Sequence, residues 1–123
     1  MIIEMSNIQI TNILNALDEF VAKDKEVPIE LSFAISKNVK ELIKQIEPFE
    51  EQRNKLLAKL KEIEAKGDTE ELNQTKAKTD IEFDKLANIK VEVSVFTVKF
   101  DTVKEISGLS TKDFMALEFM VED

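Results

Sequence analysis

Asp80, Glu82 and Asp84 crowd three carboxylates into one short stretch, the material from which a hard-cation site is built. At helical spacing, however, they point in different directions, and a solvated helix face accounts for them equally well. Other chemistry has even less to work with. The chain has no histidine and no cysteine, which removes imidazole acid–base catalysis, Ser-His triads, thiolate nucleophiles and His/Cys metal sites. Its two glycines, Gly67 and Gly108, are isolated, so no phosphate-cradling loop can form. The single arginine, Arg53, is a poor basis for phosphoryl transfer or a nucleotide pocket. These residues argue against an enzyme and imply neither cofactor nor metal.

What remains is surface recognition. Phe114, Met115, Ala116, Leu117, Phe119, Met120 and Val121 follow one another with only Glu118 as a polar break. A short helix apolar on nearly every side must be enclosed by its own domain or by a partner. Either it plugs the core, or its aromatic and methionine side chains anchor a docking or self-association face. The candidate contact residues are Phe114, Met115, Leu117, Phe119 and Met120, together with Phe96 and Phe100 upstream. Lys37, Lys40, Lys44, Lys55 and Lys59 form an outer helix face interleaved with glutamate, which reads as solvated.

The elements that must carry these residues are mostly helical. A chain of 123 residues is one domain with one modest core, and two glycines with two prolines leave little material for an all-β fold. Ser6 and Gln9 have the form of a capping box for a helix over 7–23, with Ile10, Ile13, Leu14, Leu17, Phe20 and Val21 on one face. Around Pro28 the residues fit a short extended segment or the entry of the next helix. That helix, 31–66, organises the chain. Ile35, Val39, Leu42, Ile46, Phe49, Arg53, Leu56, Leu60 and Ile63 alternate steps of four and three, the stripe of a helix that packs on another helix. The phase runs straight across Pro48, which predicts a kink within one helix.

Gly67 supplies the stop, and Asp68 with Glu71 caps a helix over 69–87. The short link makes the two helices antiparallel neighbours. A turn centred at Gly67 sets Ile63 opposite Leu72, Leu60 opposite Thr75, Phe49 opposite Leu86, and Arg53 opposite Glu82 as a register-fixing pair. Residues 89–100 read as a strand, with Ile89, Val91, Val93 and Val95 alternating before the parity changes at Phe96. Its partner is expected in residues 2–5, in 27–33, or in a second copy of the chain. Ser110 and Asp113 cap a last helix over 111–121. The fold class is therefore α+β, mostly helical, with a long antiparallel helical hairpin, N- and C-terminal helices and a small β-sheet.

Net charge is −8, but the middle helix carries eight basic against six acidic groups while both ends are strongly acidic. An acidic chain is repelled by phosphate backbones, so direct nucleic-acid binding is not expected. A carboxylate surface can imitate DNA, but charge does not specify a partner. No membrane span or signal segment is visible, and the lack of cysteine suits a reducing compartment, so the expected location is cytoplasmic.

The stretch Pro28-Ile29-Glu30-Leu31-Ser32-Phe33-Ala34-Ile35-Ser36-Lys37-Asn38, the segment Pro48-Phe49-Glu50-Glu51-Gln52-Arg53-Asn54-Lys55-Leu56, and the ending Leu109-Ser110-Thr111-Lys112-Asp113-Phe114-Met115-Ala116-Leu117-Glu118-Phe119-Met120-Val121-Glu122 resemble the small, uncharacterised proteins encoded by tailed phages and prophages of Gram-positive bacteria. The likeness covers nearly the whole chain, although relatives often have proline where this chain has Thr111. It implies a phage origin and a role in the host cytoplasm during infection, and brings no catalytic residues. The expectation is a non-enzymatic interaction protein, a homodimer or higher oligomer without membrane attachment. It would inhibit a host defence or nucleic-acid-processing protein or, alternatively, assist virion or tail assembly.

Overall fold

A computed structural model describes all 123 residues. The chain forms a mostly helical α+β fold in the order β1 (Ile2–Ser6), α1 (Asn7–Ala22), α2 (Ile29–Lys66), α3 (Thr69–Ala87), β2 (Lys90–Ser94), β3 (Val98–Lys99), α4 (Phe100–Lys104), α5 (Thr111–Leu117), a 3-10 turn at Glu118–Met120, and β4 (Val121–Glu122). No helix is long and apolar enough to cross a membrane.

Helix α1 begins with the expected capping box, in which the Ser6 hydroxyl accepts from the Gln9 N–H and Gln9 Oε1 accepts from the Ser6 N–H. It ends as Asp24 turns left-handed at φ 50°, a conformation that aspartate tolerates better than most residues. Pro28 is the N-cap of α2 rather than part of a strand, so the helix starts two residues earlier than its stripe suggested. It then runs as one helix through Pro48 to Lys66, where Gly67 closes it in the left-handed conformation at φ 75°.

Strand β1 pairs antiparallel with β2, with Ile3 opposite Val93 and Met5 opposite Val91. The strand partner is thus residues 2–6 of the same chain. Ile3, Met5, Val91 and Val93 turn inward while Ile2, Glu4, Lys90, Glu92 and Ser94 face out, the alternation a half-covered sheet requires.

The expected strand over 89–100 is not continuous. It leaves β1 after Ser94, crosses an irregular stretch, pairs parallel with β4 as Val98–Lys99, and becomes α4 at Phe100. The parity change at Phe96 marks this exchange of partners. The expected helix over 111–121 is also shorter: its last turn tightens into the 3-10 turn and straightens into β4. Here β pairing to β3 displaces the helical hydrogen bonds that propensity favoured.

The core joins Ile10, Leu17 and Phe20 of α1 to Leu31, Ala34, Leu42, Ile46 and Phe49 of α2, closed by Val93, Val103, Leu117 and Met120 from the later elements. Leu117 and Met120 are fully buried. They hold the tail in the core and are not docking residues, a correction to their place among the contact candidates. Beyond Phe49 the hairpin leaves this packed head as a two-helix arm. From Glu50 to Lys66, α2 extends about 25 Å at the α-helical rise, accompanied by α3 alone.

Near the base of the arm, one contact is added to the expectation and one expected ion pair is missing. The Phe49 ring lies 5.8 Å from that of Phe83, one turn before Leu86. Arg53 and Glu82 form no ion pair; the four that exist are Lys23–Asp113, Lys25–Asp113, Lys104–Asp101 and Lys112–Glu19. Glu82 points to solvent, where pairing gains too little to order two long side chains.

Candidate protein-docking groove

Asn38 lies on the apolar face of α2, between Ala34 and Leu42 at helical spacing, and is 2 % exposed. Its Nδ2 donates to the Phe96 carbonyl at 2.8 Å, and its Oδ1 accepts from the Phe96 N–H at 2.7 Å. The amide side chain therefore supplies both partners that the backbone of Phe96 loses when the strand departs from β1. A backbone that is partly withdrawn from water is normally paired, and one asparagine does it here. The Met1 carbonyl accepts from the Val95 N–H at 2.7 Å, fixing the preceding residue.

With its backbone clamped, Phe96 presents its ring outward. The ring meets that of Phe33 edge to face, with centroids 5.4 Å apart and planes at 77°. Both remain substantially exposed, 55 % for Phe33 and 42 % for Phe96. Lys37, one turn beyond Phe33, sets its ammonium 5.9 Å from the Phe33 ring, within cation–π reach. Lys40 and Lys44 continue along the same side of α2. Together with Met1, these residues line an open groove of about 660 Å³. Glu41 is the single acidic residue lining it, and it accepts from Gln45 Nε2 at 3.0 Å.

The other contact candidates separate. Phe100 and Phe114 form a second edge-to-face pair, centroids 6.0 Å apart, and the neighbouring Met115 is 66 % exposed. Phe119 is half-buried and lines a different shallow cleft with Ile3, Met5 and Ile13. Only Phe96, among the candidates, belongs to the groove. Asp80, Glu82 and Asp84 are all exposed, and no group of three acidic, histidine or cysteine side chains is arranged to hold a metal ion.

The tail that carries Phe114 is anchored by Asp113. Its side chain is 2 % exposed, takes the Lys23 ammonium on Oδ1, and lies 3.3 Å from Lys25 Nζ on Oδ2. It also completes a capping box with Ser110. The Lys23 ammonium, aided by Ser110 and Lys25, holds this carboxyl well below the ordinary aspartate range, against the burial that pushes it up. This is a structural latch between the exit of α1 and the start of α5.

Phe33 and Asn38 were not identified from sequence. An asparagine on an apolar helix face was the available signal. The lysines were visible, but the groove beside them arises only when residues 94–96 arrive from the far side of the hairpin. The architecture defines a class, a helical α+β head with a two-helix arm. Compared with known proteins, the chain matches no protein-family profile, no curated protein and no solved structure.

Proposed function

We propose that this chain is a non-enzymatic, phage-encoded interaction protein that works in the host cytoplasm by binding another protein. The observation that carries this reading is the Phe33–Phe96 pair, left in the open beside three lysines and held there by a buried asparagine. Exposed aromatic anchors with a charged surround are what protein interfaces use for affinity and orientation. A host defence or nucleic-acid-processing protein is the favoured target, because the acidic ends of the chain can compete for a basic channel. A specific observation supports the alternative, virion or tail assembly: Met115 stands exposed beside the Phe100–Phe114 pair, an apolar surface suited to a structural protein.

A tagged pull-down from infected cells, read by mass spectrometry, tests the reading. The expected result is a host protein captured by the wild type and lost with Phe33→Ser. Capture of capsid or tail proteins, lost with Met115→Asp and retained with Phe33→Ser, would establish the assembly role instead. No protein retained by the wild type over both variants would remove the interaction reading.

A further inference from the structure

The groove has a sign opposite to that of the molecule. The chain carries −8 overall, yet Lys37, Lys40 and Lys44 line this groove against Glu41 alone. We propose that its occupant is a short acidic peptide segment of a partner protein, carrying one aromatic or aliphatic anchor. This rests on the interaction-protein reading and specifies its ligand.

The three lysines project from successive turns of one helix and span about 10 Å along its axis. They match carboxylates spread over a similar length, in an extended or helical segment. Beside them the Phe33 and Phe96 rings offer an apolar edge and face, into which a single hydrophobic side chain can pack. The volume, about 660 Å³, admits a few side chains and not a folded domain. Rigidity adds to the fit, since Asn38 fixes the Phe96 backbone and little ordering is left for binding to impose. A nucleic-acid strand also offers negative charge and stacking surface. Its phosphates, however, continue past the groove onto a surface whose remaining charge is strongly negative, whereas the charge of a short peptide ends with the lysines.

The test is panning of the purified full chain against a random dodecapeptide library, followed by titration of the selected peptides by fluorescence anisotropy. Selected sequences should be rich in Asp and Glu around a Phe, Tyr, Trp or Leu. Their affinity should fall at least about tenfold in the double variant Lys37→Glu/Lys44→Glu and also fall with rising salt. Both lysines are exposed, so the variant should keep the wild-type circular dichroism. Several outcomes would overturn the proposal: neutral or basic selected peptides, acidic peptides indifferent to the double reversal, tighter binding of an oligodeoxythymidylate, or no enrichment at all. Sedimentation showing self-association abolished by the same variant would assign the groove to an acidic end of a second copy. If any of these occurs while the pull-down still yields a partner lost with Phe33→Ser, the acidic-peptide inference fails alone. If the pull-down is also blank, both readings fail.

Discussion

Between Ile29 and Phe49, helix α2 is covered on more than one side. Leu42, Ile46 and Phe49 of the stripe are buried, and so are Leu31, Ala34 and Asn38 beside it. Beyond Phe49 the same helix meets α3 alone. Arg53, Leu56 and Leu60 are only half-covered there, and Ile63 is the one stripe residue fully enclosed. All four ion pairs, both sheets and both buried asparagines, Asn7 and Asn38, belong to the head. One continuous helix thus serves two environments, and local stability should follow the coverage rather than the helix.

The largest expected contrast comes from the same substitution at two points of one stripe. Leu42→Ala removes a completely buried side chain and should cost about 2–5 kcal/mol. Leu60→Ala, half-exposed and able to relax, should cost about 1 kcal/mol. Urea denaturation followed by circular dichroism measures both. Equal losses would mean that the arm is packed as tightly as the head, and the comparison would fail.

Asn38→Ala tests whether the head depends on a polar clamp as well as on apolar packing. The substitution strips partners from both backbone groups of Phe96, and an unpaired buried group is costly. A loss of about 2 kcal/mol is expected. In NMR spectra the Phe33 and Phe96 ring protons should lose their distinct shifts, while the Leu72 and Thr75 resonances of the arm stay in place. A change confined to the arm would contradict the assignment.

The ionic latch gives the head a pH dependence. Asp113 titrates lower in the folded chain than in the unfolded one, so its ionised form favours folding. That contribution is complete above the ordinary aspartate pKa of about 4 and is lost as the pH falls below it. Denaturation midpoints measured from pH 7 down to strongly acidic solution should show this limb in the wild type. Asp113→Asn should be less stable at neutral pH and should flatten the limb. A variant with an unchanged acid profile would show that the Lys23 and Lys25 pairs contribute nothing.

The stripe and the caps at Ser6, Asp68 and Ser110 were legible because they depend on neighbours within one or two turns. The difference between the two halves of α2 was weaker in the sequence. Leu31, Ala34 and Asn38 mark a second covered face in the first half, where the distal half has Lys and Glu. The exchange of strand partners at Phe96 was visible as a parity change, but its cause lies 58 residues away in Asn38. Arg53 and Glu82 show the opposite error. Sequence spacing brought two charges to a common level, and solvent screening left them nothing to gain by meeting. For the tail, Leu117 and Met120 could not be separated from Met115 by composition, since all three are apolar. Burial followed from where β4 and the core drew the chain.

The smallest effect is also the sharpest test of whether head and arm are separable. Gly67 ends α2 at the tip of the arm with φ 75°, and a Cβ built there meets nothing within 4 Å. Gly67→Ala therefore removes no contact and creates no clash; it adds only the strain of a left-handed alanine, about 1 kcal/mol. If the arm opens on its own, its amides exchange at a lower opening free energy than those of the head, before and after the substitution. Amide hydrogen exchange along residues 56–79 should then quicken about fivefold and stay much less protected than Leu42 and Ile46, whose global opening becomes easier by the same ~1 kcal/mol, as the urea stability should show. If the amides of residues 56–79 share the opening free energy of Leu42 and Ile46 in both chains, the arm opens only when the whole chain unfolds. The half-buried stripe would then be transmitting stability along α2 as effectively as the core does.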